Sequence, residues 1–462
     1  MDPEALSPMV TFALSPAAPI LAPRVGSLAI AGRKPLTTPH YVPLSSRGTM
    51  PHISHDVLRD HTALNSIYVG LEDFVEKKHK SPVYNTPVTS AQESPLKKFI
   101  SMSQDMPLIL GPRRFPPIPC PPTNTDTSIA VLTTNGFGQL SAQEYLDAVQ
   151  QLRPDVAIGL SDIVLNKPPG VKRRGKMVDR THAFTRDALE RLCNREDKSR
   201  AAYFAPVLPL ENAQQSLYLD DLASEFRENI SGLALYEPAS LPFIPESLGD
   251  LPRLLFSEPS SPHEVLHGIS LGADLLTIPF IVWASDSGIA LDFVFPAPSA
   301  GQSGPLPMGI DLWSSDYTID TSPLREGCEC FTCRNHHRAY IHHLLTAKEM
   351  TAWVLLQLHN HTVMDAFFAG VRDSIQRGSF EENVAAFSRA YEPSLPERTG
   401  EGPRVRGHHL PAAQQNQPRR MPRMYGRLDD AAQKFADSQS SSVVTPDTDA
   451  EGLERHGFAE KI

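Results

Sequence analysis

The chain reads as an α/β protein built on a closed (β/α) barrel, followed by a smaller metal-binding region and a polar tail. Between Ile129 and Ile278, short and near-continuously apolar runs alternate with helical segments. That pattern marks parallel strands covered by helices on both faces. Roughly six such units over roughly 250 residues favour closure into a barrel over an open doubly wound sheet. Downstream, three of the five cysteines crowd into one short stretch ahead of a long helical pattern.

In chain order, residues 10–45 hold the β-rich runs Val10–Leu14, Ser27–Ala31 and Tyr41–Leu44, broken by Pro and Gly, then the turn Ser46-Arg47-Gly48. His52–Asp60 is expected as the first helix. Ser81–Pro122 is expected to be irregular and Pro-rich around the apolar run Leu108-Ile109-Leu110. Ile129–Thr133 reads as a buried strand. A helix over Ser141–Leu152 follows, with Ser141 as cap and Glu144 three residues on. Asp155–Leu160 is the next strand. A basic loop, Lys167 to Lys176, leads to a helix over Thr181–Glu196. Strand Tyr203–Leu208, helix Asn212–Asn229, strand Gly232–Leu235, strand Arg253–Phe256, helix His263–Leu271 and strand Asp274–Ile278 complete the alternation.

Ile289–Phe295 is expected as a hairpin strand inserted after the barrel. Arg338–Arg377 is expected to be mostly helical, with apolar residues at helical spacing through Leu344, Leu345, Val354, Leu355, Leu358, Val363, Phe367 and Val371. Beyond Pro396, Arg, Gln, Pro and Ser dominate, which predicts a disordered tail apart from a short helix near Leu428–Phe435. The expected domains are a barrel over 10–320, a zinc-binding subdomain with closing helices over 321–395, and the tail over 396–462.

With 462 residues, 40% hydrophobic and 21% charged, the chain can bury a large core. The 43 prolines predict long irregular connections. A net charge of −10 confines any nucleic-acid contact to a local patch. Cys120 and Cys193 lie far from the other cysteines, so there is no disulfide framework. The start Met1-Asp2-Pro3-Glu4 predicts no secretion signal, and no run of about 18 apolar residues predicts a membrane span. An intracellular, cytoplasmic protein is expected.

Cys328, Cys330 and Cys333, with His359 farther along, offer three thiolates and one imidazole. That set suits tetrahedral zinc and leaves no open position for water, so the site is structural. His336, His337, His342 and His343 stand close enough to compete as ligands, although packing and capping suit them better. In a barrel, catalytic groups sit at the carboxyl ends of strands. Here those ends carry Thr133-Thr134-Asn135, Ser161-Asp162, Pro209-Leu210-Glu211, Tyr236-Glu237 and Thr277-Ile278. Asp162, Glu211 and Glu237 are the ionisable candidates, weighed against solvated or capping roles. There is no Gly-x-Ser-x-Gly elbow, Walker-type loop or His-Glu-x-x-His. Lys172, Arg173, Arg174 and Lys176 form a basic stretch suited to phosphate contacts. The tail arginines, Arg404, Arg406, Arg419, Arg420 and Arg423, are read as part of a disordered extension. Phe367 and Phe368 are expected to pack rather than to stack on bases.

Cys328-x-Cys330-x-x-Cys333, Arg338-Ala339-Tyr340-Ile341-His342-His343-Leu344, Glu349-Met350 and His359-Asn360 resemble, in order and spacing, the zinc signature of the queuine tRNA-ribosyltransferases (tRNA-guanine transglycosylases). Thr38-Pro39, Ser231-Gly232-Leu233-Ala234, His263-Glu264 and Gly272-Ala273-Asp274-Leu275 extend the resemblance over roughly residues 10–380. It implies a (β/α)8 TIM barrel with an inserted zinc subdomain holding one Zn2+ per subunit.

The departures carry as much as the matches. The family's nucleophilic aspartate attacks the ribose C1′ of guanosine, and its position falls here on Thr277. The acid/base aspartate falls on Thr134, within Thr134-Asn135-Gly136-Phe137-Gly138-Gln139. A base-recognising Asp falls on Ser161, and the Gln-Gly-Gly segment is replaced around Val207-Leu208-Pro209. An unactivated Thr hydroxyl is a poor nucleophile, and losing nucleophile and acid/base together removes both routes to base exchange. The chain therefore resembles the non-catalytic accessory branch of the family, which in eukaryotes pairs with a catalytic paralogue. The opening from Gly32-Arg33-Lys34-Pro35 to Gly48 resembles that branch too. The implied partners are the catalytic subunit, in a heterodimer, and tRNA. The implied location is the cytoplasm, with peripheral association to the mitochondrial outer membrane. Two rival expectations are an active transferase that recruits Asp162 or Asp286, and a stand-alone zinc-dependent RNA-binding or scaffold protein.

Overall fold

The computed structural model describes residues 10–14, 22–75, 81–90, 93–120, 123–133, 136–165, 168–193, 201–298 and 304–403. Strands β1 (Val10–Leu14), β2 (Gly26–Ile30) and β3 (Leu36–Thr38) form an antiparallel sheet. Eight further strands then pair in parallel in sequence order: β4 (His40–Val42), β5 (Ile67–Gly70), β6 (Leu108–Gly111), β9 (Val156–Ile158), β10 (Ala202–Val207), β11 (Gly232–Leu235), β12 (Arg253–Leu255) and β13 (Leu275–Thr277). The first and last of these pair, β13 running beside β4. The chain just past β4 then reaches β5: Tyr68 N–H donates to Pro43 O at 2.9 Å, and Ser45 N–H donates to Tyr68 O at 3.1 Å. The barrel is thereby closed, with no free edge between its first two strands.

Closure follows from strands that are apolar on both faces. Ile67–Gly70, Leu108–Gly111, Ala202–Val207 and Gly232–Leu235 are buried at every position. Inward side chains, including Ile109, Val156, Ile158, Phe204, Leu254 and Leu275, fill the interior, while the outward set packs under the helices. Gly232 sits opposite Phe204, and a Cβ there would meet the ring at 2.6 Å, so the large ring is matched by an absent side chain. Leu28, Ile30 and Leu36 of the antiparallel sheet join the interior cluster and floor the barrel. Arg24 fastens this floor. Its Nε donates to Asp274 Oδ1 at 2.8 Å, and the two side chains are 1% and 0% exposed. A second buried knot places Asp155 between Lys97 and Arg33, each at 2.6 Å.

The helices are α1 (His55–His61), α2 (Pro95–Phe99), α3 (Ala142–Leu152), α4 (Val171–Cys193), α5 (Asn212–Ala223), α6 (Pro262–Ser270) and α7 (Phe280–Asp286) around the barrel. After α7 comes the hairpin β14 (Ile289–Leu291)–β15 (Gly309–Asp311). Helices α8 (Phe331–Asn335), α9 (Arg338–Thr346), α10 (Met350–Gln376) and α11 (Phe380–Ala390) follow. The expected capping box is present: Glu144 N–H donates to Ser141 Oγ at 3.2 Å, and Ser141 N–H donates to the Glu144 carboxylate at 3.0 Å. Leu312, Leu324, Ile341, Leu345, Trp353 and Leu356 form a separate small core under the hairpin.

Several elements differ from expectation. Ile129–Thr133 is not a barrel strand: β7 (Ser128–Thr133) turns tightly and pairs antiparallel with β8 (Gly136–Ser141) outside the main sheet. Its place is taken by β5, a short run that the sequence reading did not assign, and by β6, the apolar run inside the stretch read as irregular. The first helix starts at His55, because His52 adopts a left-handed φ of 63°. The basic loop is shorter than expected, since α4 begins at Val171 and carries Lys172 to Lys176 on its first turns. Helix α5 stops at Ala223. The long helical region breaks at Lys348, with φ 56°. Of the tail, residues up to 403 are described: Thr399 Oγ1 bonds Asp311, and Lys348 pairs with Glu401 at 2.6 Å. The helix expected near Leu428–Phe435 and the tail arginines lie outside the described residues.

Candidate metal centre and barrel mouth

Cys328 and Cys330 lie in the turn before α8, Cys333 lies on α8, and His359 lies on α10. The thiol sulfurs of Cys328, Cys330 and Cys333 stand 3.8, 3.6 and 3.4 Å from His359 Nδ1. All four donor atoms fall within 4.8 Å of one another. A tetrahedral ion with sulfur at about 2.3 Å and nitrogen at about 2.0 Å sets sulfur–nitrogen edges of about 3.6 Å. The donor set fits such an ion and has no gap for water.

The supporting contacts fix the imidazole. His359 Nε2 donates to Leu291 O at 2.9 Å, which leaves Nδ1 bare toward the thiols. The next residue grips the same strand: Leu291 N–H donates to Asn360 Oδ1 at 2.8 Å, and Asn360 Nδ2 donates to Ile289 O at 3.0 Å. Thr332 Oγ1 donates to Leu355 O at 2.7 Å, tying α8 to α10. Hydrogen bonds from Cys330 and Cys333 hold the Cys328 thiol far below its ordinary range, favouring a thiolate in the cluster. The nearby histidines act elsewhere. His337 caps α9 by accepting from Tyr340 N–H at 3.2 Å, His342 Nδ1 bonds Leu312 O at 2.8 Å, and His336 stacks on Tyr340.

At the barrel mouth, Thr277 is fully buried at the end of β13. Its Oγ1 donates to Ser257 O at 3.0 Å and accepts from Ser257 N–H at 3.2 Å. Thr134 lies outside the described residues. Ser161 is buried and donates to Tyr236 Oη at 3.3 Å. Asp162 is fully buried, taking Arg173 at 2.5 and 2.6 Å, Asn124 Nδ2 at 2.6 Å and Arg180 at 3.1 Å. Burial alone would raise its carboxyl, but these hydrogen bonds outweigh burial and hold it below the ordinary range. Arg173 and Arg180 stand about two helical turns apart on α4, so both reach one carboxylate. Glu211 is exposed ahead of α5, Glu237 accepts from Ser240 Oγ at 3.4 Å, and Asp286 pairs with His52 Nε2 at 2.6 Å. Of the basic stretch, Lys172 and Lys176 are exposed, whereas Arg173 is committed to Asp162. Phe367 packs against Phe293 and Phe295, and Phe368 packs against His40 and Tyr41.

Fold and site together define an eight-stranded parallel barrel followed by a Cys3His cluster, compatible with a zinc ion, that joins the turn before α8 to the long helix α10. The sequence model of the queuine tRNA-ribosyltransferase family matches residues 21–393, and the chain belongs to that family. It is similar to the queuine tRNA-ribosyltransferase accessory subunit 2 of Schizosaccharomyces pombe (37% identical, covering 84% of this chain and 86% of that protein). Proteins of the same name from Xenopus laevis (25% identical; 78% and 94% covered) and Anopheles gambiae (26%; 85% and 92%) are also similar.

Proposed function

We propose that this chain is the non-catalytic subunit of a two-chain queuine tRNA-ribosyltransferase. With its catalytic paralogue it exchanges guanine for queuine at the wobble position of tRNAs with GUN anticodons. The observation that carries the reading is the state of Thr277: the position aligned with the nucleophile is a neutral hydroxyl, buried and bonded in both directions to the Ser257 backbone. A hydroxyl nucleophile needs a base to take its proton, and the Thr277 Oγ1 proton is directed instead at the Ser257 carbonyl oxygen, which cannot take it. Of the two acids that an active transferase would recruit, Asp162 is enclosed by two arginines and Asn124, and Asp286 pairs with His52 Nε2 at 2.6 Å. The names of the similar proteins agree with an accessory role.

In this reading one Zn2+ is held by Cys328, Cys330, Cys333 and His359, and it joins the cysteine turn to α10. The domain division is 10–320 for the barrel, 321–395 for the zinc subdomain and closing helices, and 396–462 for the tail. The zinc subdomain docks the catalytic paralogue, and exposed Lys172 and Lys176 lend positive charge to tRNA. The heterodimer works in the cytoplasm and associates peripherally with the mitochondrial outer membrane; among the described residues no helix is long and apolar enough to cross a membrane.

The test is co-expression with a catalytic paralogue, followed by labelled-guanine incorporation into tRNA for each chain alone and for both together. Exchange only in the presence of both chains supports the reading. Incorporation by this chain alone would establish an active transferase. Purification that never recovers a paralogue would favour a free-standing RNA-binding or scaffold protein.

A further inference from the structure

The chain past Pro393 lies beyond residues 21–393, the part that the family model matches. It is led in by firm contacts: Leu306 N–H donates to Ala390 O at 2.7 Å, Glu392 N–H donates to Leu306 O at 2.9 Å, and Leu395 is buried. Thr399, Gly400 and Glu401 then cross from the hairpin β14–β15 to the corner between α9 and α10, each meeting a different partner.

Gly400 lies on the indole of Trp313, where a Cβ would collide with the ring. The ring cannot retreat, because Gly288 backs it and a Cβ there would meet Trp313 Cδ1 at 2.6 Å. Leu312 N–H donates to Gly288 O at 3.1 Å and holds that backing in place. Just before the glycine, the Thr399 hydroxyl donates to Asp311 Oδ2. The other carboxylate oxygen accepts from Trp313 N–H at 3.1 Å, so Asp311 is aimed by its own strand and not by the threonine. Just after the glycine, Glu401 pairs with Lys348 at 2.6 Å. Lys348 sits at the left-handed corner between the two helices.

The contacts differ in weight. The ion pair is largely exposed, so it selects charge more than it holds the segment. The hydroxyl on an ionised carboxylate is the stronger polar contact. The indole between two glycines sets the steric rule, since no side chain fits at the middle position. Three consecutive residues are thus read by three chemically different groups, which is how a peptide is recognised by sequence.

We propose that Asp311, Trp313 and Lys348 form a groove for an extended hydroxyl–glycine–acid peptide, and that Thr399-Gly400-Glu401 fills it in cis as a latch. Any other segment of that pattern must displace the chain's own. The proposal needs neither the catalytic paralogue nor tRNA, so it stands or falls separately from the subunit role. Tethering sets the scale: at an effective concentration of about 1 mM, a latch closed about nine-tenths of the time corresponds to a free peptide half-saturating near about 0.1 mM.

The test uses the full-length chain and its Gly400→Val variant. Amide exchange over 397–403 should rise about tenfold or more in the variant, while β9 to β12 keep their protection. A synthetic peptide spanning Pro396–Pro403 is then titrated into both chains in a Trp283→Phe background. Trp353 is 2% exposed, so the change in tryptophan fluorescence reports Trp313. The peptide should saturate the opened variant and bind it about tenfold or more tighter than the parent, whose groove is filled. The same peptide carrying Gly400→Val should not bind. Unchanged exchange in the variant, equal peptide binding by both chains, equal binding of the two peptides, or no saturable binding at millimolar concentration would overturn the proposal.

Discussion

At the scale of single residues, the hydroxyl of Thr277 bridges the N–H and carbonyl of Ser257 at the end of β13. Thr277→Val removes the acceptor for the Ser257 N–H inside the protein. It should cost about 1–2 kcal/mol in chemical denaturation and leave exchange by the assembled complex unchanged. Loss of exchange with normal assembly would place the hydroxyl in the chemistry. Asp365 gives a pH-dependent case. It accepts from Tyr41 Oη at 2.9 Å, and burial raises its carboxyl to about 7. An acid held above its unfolded value of about 3.9 stabilises fully below that value and loses the contribution as pH rises through the folded value. Asp365→Asn should therefore gain in melting temperature relative to the parent as pH rises from about 4 to about 7, and hold that gain above it. A pH-independent difference would show that the carboxyl does not titrate there. Neither residue announces its role in sequence: Thr277 is one threonine after two leucines, and Asp365 meets Tyr41 across more than three hundred positions.

Among the elements, α10 joins the two halves of the described chain by placing His359 at the metal centre and Asn360 on β14. Cys330→Ser should loosen the turn and helices it anchors. Amide exchange over Phe331–Asn335 and Arg338–Thr346 should rise about tenfold or more, while β9 to β12 keep their protection. Uniform loss of protection would mean that the barrel itself depends on the centre. Helix α4 is anchored by the opposite device, two guanidinium groups on one carboxylate. Asp162→Ala takes the carboxylate from Arg173, while Arg180 keeps Asp126 at 2.7 Å and the Asn124 carbonyl at 2.8 Å, and should lower stability by about 1–3 kcal/mol in urea unfolding. A change under about 1 kcal/mol would mark the cluster as effectively solvated.

For the molecule as a whole, the barrel floor is stitched at Arg24, and the cysteine turn is held beside α10 at His359. Arg24→Met leaves Asp274 buried and unpaired, and a loss of about 3–5 kcal/mol in global unfolding is expected. Metal content of the purified chain should be near one ion per chain. Chelation should lower the thermal midpoint and abolish pairing with a catalytic paralogue, while far-ultraviolet circular dichroism keeps its barrel signal. Pairing that survives complete metal removal would detach the centre from assembly.

The Cys3His cluster was legible in the linear chain because three of its donors share a few residues and the fourth sits on a long helix. Their chemistry is local enough to be read from spacing. The α/β class was legible for a similar reason, since the alternation of apolar runs and amphipathic segments is a property of neighbours. Which runs became barrel strands was decided only in three dimensions. A strand buried on both faces looks like any short apolar run, so Ile67–Gly70 and Leu108–Gly111 entered the sheet while Ser128–Thr133 folded back on its own hairpin. The partners of Asp162 and Thr277 were decided the same way, because charge and hydrogen-bond partners are set by what the fold brings alongside them.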